Sequence, residues 1–408
     1  MTDKLIQKRM TLEAISPIFI GAGKEAVFSP CTDFVQEGNE LICLDERKLQ
    51  SLLMSRPELV DRFVEHVRQE GMLEDFLTYH CNSSVASLAK QRIPVDGEVR
   101  RKHIQRFLET QGAPFVPGST IKGAMATAVL WDWLLNNESG LQMLQHIQGY
   151  VGKGDRNSMK SCKVTDRCFN RRLDNTFSLE DRNDAETPAE LPTYHAFRFL
   201  QISDARPFSP ETLQVSQVER LRIVPLPEEK SGKDETSIPQ WRQTVRSGAS
   251  TLFSLSLLHS EQKNGFQFVK HQSVKQLFLI INSFSKASCE RELAMLKHRH
   301  PASPSDVSRL ISFYETLLNN FPRPQANEAI LRIGGGKTWF DNSIGLAIGQ
   351  LHSKKPGRES ESLLGDYLKT VLNIDIADDC FPQTRSVLLK DGTPYQPLGW
   401  VRLKLLPN

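Results

Sequence analysis

Apolar and polar residues alternate from Lys4 to Ile20, which predicts a strand running into a glycine turn at Gly21–Gly23. Phe34-Val35 and Leu41–Leu44 flank the polar stretch Gln36–Glu40 and read as a hairpin. The period then changes. Asp45 can cap a helix through Leu49, Leu52 and Leu53, and Glu58 to Phe76 carries Leu59, Phe63, Val67 and Leu73 at helical spacing. A loop near Pro94–Gly97 precedes a helix that starts after Pro117 and runs through Met125, Val129 and Trp133. Strand-like alternation returns at 197–203, 214–224 and 250–258, with a flexible loop at 228–237. Helices are expected over 271–297 and 304–320; Leu310, Tyr314, Leu317 and Leu318 share a face of the second, and Pro322 and Pro324 end it. Short helices at 341–350 and 363–372 lead to a last strand at 399–405, with Arg402 and Lys404 on one face. No short-period repeat is visible.

At 408 residues the chain exceeds one compact core, which suggests two domains or one with large insertions; the expected division is 1–195 and 196–408. Hydrophobic content of 39% and charged content of 24% are globular values. A net charge of +3 neither requires nor excludes a nucleic-acid partner. Met1 to Arg9 is charged, with no apolar signal core after it, and no run approaches membrane-spanning length, so a cytoplasmic protein is expected. The 7 cysteines are scattered and lack the close pairing of a zinc site; reduced, mostly buried thiols and no metal or cofactor are expected. Residues 149–172 are rich in Lys and Arg, and an acidic stretch from Glu180 to Glu190 follows; a solvated surface or a projection toward a partner both fit.

Two segments carry candidate chemistry. In Pro114–Ala124, Pro117 fixes φ, Gly118 permits a sharp turn, and Ser119 or Thr120 can cap the helix that begins there. The free amides of the first turn, with Lys122 beside them, form a site suited to a phosphate. Gly334–Thr338 invites a comparison with nucleotide-binding loops. A P-loop requires glycine five positions before its Gly-Lys-Thr, and that position is Leu331, so ATP or GTP hydrolysis is rejected. Those glycines still allow a backbone to approach closely, and Lys337 can hold a phosphate. Trp339 and Phe340 could stack a base or simply fill the core. Arg100–His103 and Lys297–His300 are short basic clusters, read as surface or phosphate contacts.

The string Pro117-Gly118-Ser119-Thr120-Ile121-Lys122-Gly123-Ala124 resembles the signature of the RAMP superfamily of CRISPR-associated RNA-binding proteins. Three further segments fit in order: Ile15–Gly23 resembles the family's first strand and glycine turn, Leu200–Ala205 its strand ending in Ser-Asp, and Leu331–Phe340 its glycine-rich loop. Phe19 stands where a histidine is often found. The glycine-rich loop is most similar to that of the subunits that cap the 3′ end of the crRNA in type III-A (Csm) effector complexes. The resemblance implies an α+β fold of tandem ferredoxin-like, RRM-like units with helical and loop insertions. It implies a non-catalytic, crRNA-binding role in guide maturation and antiviral defence. RNA contacts are then expected at Gly21, Gly23 and Lys24, at Gly118, Ser119, Thr120, Lys122 and Gly123, and at Gly334, Gly335, Gly336, Lys337 and Thr338. The implied partners are crRNA, the backbone RAMP subunit, the small helical subunit, target RNA indirectly, and a host maturation nuclease.

Two other readings compete. In related backbone subunits a loop aspartate after the first strand cleaves target RNA with a metal ion, and Asp33 occupies a comparable position here. An aspartate at a strand edge more often ends a turn, and the structural role is preferred. A standalone RNA-processing endonuclease using histidine acid–base chemistry finds little support, because the 10 histidines form no paired motif.

Overall fold

The computed structural model describes residues 5–81, 83–157, 196–223, 239–258, 266–299, 306–324, 326–351, 362–374 and 381–407. The opening alternation forms β1 (Leu5–Ala14), with Met10, Leu12 and Ala14 buried and their neighbours nearer solvent. It ends before the expected Ile20, and past Ala14 the Ile15 and Ser16 amides turn to the Trp400 carbonyl. After β2 (Val27–Phe28) comes the expected hairpin of β3 (Phe34–Glu37) and β4 (Glu40–Leu44). Asp45 caps α1 (Glu46–Ser55) as read from sequence, its Oδ1 accepting from the amides of Arg47 and Lys48. The following helix is broken: α2 covers Glu58–Arg68, Glu70 takes a positive φ, and a separate helical segment runs from Leu73 to Cys81. With β5 (Ala89–Pro94), which pairs with β4, these elements bury their own cluster around Ile42, Leu49, Leu59 and Phe76.

Short strands β6 (Ile104–Gln105), β7 (Glu109–Thr110) and β8 (Ala113–Pro114) lead into α3 (Gly118–Asn136). A helix absent from the sequence reading, α4 (Glu138–Gly152), follows directly, with Asn137 capping it. Then come β9 (Leu200–Ile202), β10 (Leu213–Arg222), β11 (Gln240–Val245) and β12 (Ser250–Leu258). Helices α5 (Val274–Arg299) and α6 (Ser308–Asn319) match expectation closely. The chain continues through β13 (Glu328–Arg332), the hairpin β14 (Thr384–Lys390) and β15 (Thr393–Pro397), and β16 (Trp400–Leu405). The basic and acidic runs read between 149 and 195 lie mostly outside the described residues, as does the loop at 228–237.

The protein is thus α+β, with two larger sheets. One has the order β13-β16-β1-β12-β9 and is antiparallel throughout. Antiparallel steps make β1, β9 and β13 point the same way, so their carboxyl ends share one end of the sheet. Helix α3 packs on β9 and β13, and α5 packs on α3 and β13, with Trp131 and Phe284 in edge contact at 5.9 Å. The other sheet runs β15-β14-β10-β11-β6-β2. Both sheets draw strands from either side of the boundary expected between 195 and 196, and β1 lies between two strands of the second half.

The open edge of β13 is blunted by a side chain. Asn282 of α5 donates to the Glu328 carbonyl at 3.0 Å and accepts from the Ile330 amide at 2.9 Å. It does what a further strand would do for these two positions.

Candidate nucleic-acid interface

The sequence-derived motifs converge at the end of the five-stranded sheet formed by the carboxyl ends of β1, β9 and β13. They do so as two pairs. The first is Gly118 against Ser203-Asp204, which follow β9. A Cβ on Gly118 would overlap the Ile202 carbonyl, so only glycine lets α3 start this close to the strand. The cap differs from expectation. Neither Ser119 nor Thr120 caps the helix; the Gly118 amide donates to Asp204 Oδ1 at 2.7 Å, and the Thr120 amide to the Pro117 carbonyl. A carboxylate thus already occupies part of the positive helix end that the sequence reading assigns to a phosphate.

The second pair joins the first glycine turn to the glycine-rich loop. Gly334 sits at φ +70 with its α-carbon against the Phe19 carbonyl, where a Cβ would overlap that oxygen, and the Gly335 amide donates to the same carbonyl at 2.9 Å. The turn itself is held from its other side, where Leu108 N donates to Ile20 O and Ala22 N to Arg106 O. Gly21, Gly23 and Lys24 are exposed, as are Gly335, Ser119 and Gly123. The two pairs lie on opposite edge strands of the sheet, roughly 19 Å apart over four inter-strand steps of about 4.8 Å.

The remaining candidates divide by role. Thr338 is buried, and its amide and hydroxyl both donate to Asp341 Oδ2 (2.8 and 3.0 Å). Asp341 also accepts from Ser288 and pairs with the buried Arg332 at 3.3 Å, so Thr338 belongs to a closed polar network under the loop. Gly336 is buried as well, against Leu398. Phe340 is core, and Trp339 packs in edge contact with Phe340 and Phe381 at 5.1 Å, so neither ring is arranged as a base platform.

Both lysines are half-buried. Burial pushes the Lys122 ammonium below its ordinary value, and its Nζ lies 5.6 Å from the centre of the Phe197 ring. Burial also lowers Lys337; the nearby Arg332 adds to this and Asp341 opposes it. A half-desolvated cation gains more from an arriving phosphate than a fully hydrated one.

Sequence reasoning missed Arg242. Its guanidinium lies 4.8 Å over the Phe19 ring and within 3.6 Å of the space a Gly335 side chain would take. Nη2 donates to Gln240, while the buried Nε has no hydrogen-bond partner among the described residues. No local signal marks it: it stands in a strand that the alternation did not reveal, and its aromatic partner is far away in sequence.

Asp33 closes a turn, its Oδ2 accepting from the Ser29 amide at 2.6 Å and its own amide donating to the Ser29 carbonyl. Among the described residues no group of three or more His, Cys, Asp or Glu side chains is placed to hold a metal ion. No helix among them is long and apolar enough to cross a membrane.

The profile of the RAMP superfamily matches residues 11–340. The chain belongs to the RAMP superfamily. As a RAMP protein it is similar to the "CRISPR system Cms protein Csm5" of Methanocaldococcus jannaschii, at 23% identity over 449 aligned positions covering 98% of this chain and 91% of that protein. Its fold matches a chain of the cryo-EM Csm–crRNA–target RNA ternary complex of a type III-A CRISPR-Cas system, with a TM-score of 0.65 and 20% identity over 98% of this chain and all of that one. It also matches the crystal structure of Csm5 from T. onnurineus, with a TM-score of 0.62 and 18% identity over 96% and 99% of the two chains. The RAMP match takes in the glycine turn, the start of α3 and the glycine-rich loop, the elements that meet at one end of the sheet.

Proposed function

We propose that this RAMP protein is the crRNA-binding subunit that caps the 3′ end of the guide in a type III-A Csm complex in the cytoplasm. Its role in crRNA maturation and antiviral defence would be binding, without catalysis. The observation that carries this reading is the meeting of Phe19–Lys24 with Gly334–Lys337 at one end of the sheet, next to the half-buried cations Lys337 and Arg242. A strand's sugar–phosphate backbone could cross there and continue toward Ser119, Lys122 and Gly123. Such contacts read no bases; sequence specificity would come from guide pairing. Near full-length similarity to Csm5 of M. jannaschii supports the choice of subunit. The partners would be crRNA, the repeated backbone RAMP subunit and the small helical subunit, with target RNA held indirectly and a maturation nuclease nearby.

The fold would be built from tandem ferredoxin-like units. In the order β16-β1-β12-β9, β1 and β9 run parallel with β12 between them, and β12 and β16 run parallel with β1 between them. Helix α3 crosses from β1 to β9 and α5 from β12 toward β16, which supports one split β-α-β, ferredoxin-like unit drawn from both halves of the chain. The second RRM-like unit would be the six-stranded sheet.

The deciding experiment is native mass spectrometry of the complex assembled from this protein, its operon neighbours and a CRISPR array. One copy per crRNA, with the 3′ end left unprotected when the protein is deleted, is the expected result. Several copies that scale with guide length would make it a backbone subunit, and metal-dependent cleavage lost in Asp33→Ala would then follow. Purification free of RNA and of Csm subunits would overturn the proposal.

A further inference from the structure

A second concave surface lies away from the glycine motifs. It is a groove of about 300 Å³ between α5 and the segment Leu318–Ala326 that leaves α6. On the α5 side, Lys275, Leu279 and Lys286 form a stripe, with Ser283 and Asn282 between them. Eleven positions separate the two lysines, about 16 Å at 1.5 Å per residue. Leu279 stands between them, 48% exposed, and Phe321 and Pro322 line the same groove. Arg323 adds a cation on that wall.

Charge in the groove has one sign. Among the described residues no carboxylate lines it. The acids nearby are already engaged. Glu290 lies one turn beyond Lys286 and reaches it at 3.9 Å, an exposed contact of little strength. Glu328 gives its carbonyl to Asn282 but directs its carboxylate to Lys404 at 3.2 Å and Arg402 at 3.7 Å.

We propose that this groove docks an acidic segment of a partner protein, with one apolar side chain placed on Leu279 and carboxylates meeting Lys275, Lys286 and Arg323. A stripe of this length takes about five residues of extended chain at roughly 3.3 Å each. The charge pattern sets orientation and on-rate, and the apolar centre holds the segment in place. Nucleic acid fits less well. Its sites interleave cations with open aromatic faces, whereas the centre of this stripe is aliphatic and Phe278 beneath it is buried. The groove also sits at the Glu328 end of β13, about 20 Å along the strand from Gly334. A bound partner would therefore leave the glycine-loop end of the sheet uncovered.

The test uses the full chain and fluorescence anisotropy. The probe is a fluorescein-labelled decapeptide of Asp and Glu around a central Leu-Phe pair. Its control has Gln at every acidic position, and a labelled oligouridylate is the nucleic-acid arm. The acidic peptide is expected to bind about tenfold tighter than the Gln peptide at low salt. The pair Lys275→Glu, Lys286→Glu should erase that preference, and Leu279→Ser should weaken both peptides while leaving oligouridylate binding unchanged. All three positions are exposed, so the core is untouched. Equal binding of the two peptides would overturn the proposal, as would an acidic-peptide affinity indifferent to the lysine reversals. Loss of oligouridylate binding in the lysine variant, with no acidic-peptide preference in the native chain, would make the groove a nucleic-acid contact instead.

Discussion

The Gly118 amide donates to the Asp204 carboxylate at 2.7 Å, joining two residues 86 positions apart and fixing the start of α3 on the end of β9. The bond works as an N-terminal cap supplied from another segment. Asp204→Ala should cost about 1 kcal/mol, within the usual range for losing a capping oxygen. Gly118→Ala should cost more, because its Cβ must displace the Ile202 carbonyl rather than a pliable side chain. Denaturant titrations would check the order, and a larger loss in the Asp204 variant would contradict it. Asp204→Asn keeps an acceptor but removes the charge, so RNA affinity at low salt should rise if phosphate lies at this helix end.

Gly123 separates binding from stability. It is exposed on α3, and a Cβ there would meet nothing within 4 Å among the described residues. Gly123→Ala should therefore stabilise the helix by roughly 0.5–1 kcal/mol. If an RNA backbone lies against this surface, the same methyl group should weaken single-stranded RNA binding. A variant with a higher melting temperature and unchanged RNA affinity would remove Gly123 from the interface.

Lys337 gives a pH signature. Burial lowers its pKa from 10.5, so between the lowered value and 10.5 the folded chain holds fewer protons on this group than the unfolded chain. Its contribution to stability therefore rises with pH through that window. Its contribution to RNA binding runs the other way, because the positive charge is lost as pH rises through the lowered value. RNA affinity should begin to decline at a lower pH than an exposed lysine, titrating near 10.5, would allow, and Lys337→Arg should flatten that decline. Lys337→Met should raise stability at pH 7 while weakening RNA binding. An affinity whose decline with pH is the same in the native chain and in Lys337→Arg would mean that this ammonium does not face phosphate.

Local patterns were legible in the sequence and cross-chain relations were not. The helix after Pro117, the cap at Asp45 and the helices α5 and α6 follow from residue type and spacing within a few positions. The cap of α3 could not be read, because its acceptor sits 86 residues downstream. Ser119 and Thr120 looked adequate, but Asp204 took the bond. The glycine-rich loop was visible as a backbone-hugging segment. What it hugs, the Phe19 carbonyl, depends on how the sheet assembles. Arg242 escaped for the same reason: its half-buried place over Phe19 depends on how β11 joins the sheet. Thr338 looked like a ligand-binding hydroxyl until Asp341, three residues on, claimed both its donors.

The position of β1 has a consequence for biosynthesis. It is the first of its sheet's strands to be made, yet it is flanked by Ser250–Leu258 and by Trp400–Leu405. The last of that sheet's strands in sequence, β16, must slot between β13 and β1. Until it does, β1 offers an unpaired edge. Translation therefore leaves β1 with no neighbour until β12 is made and with one open edge until β16 follows, the situation in which nascent chains depend on chaperones.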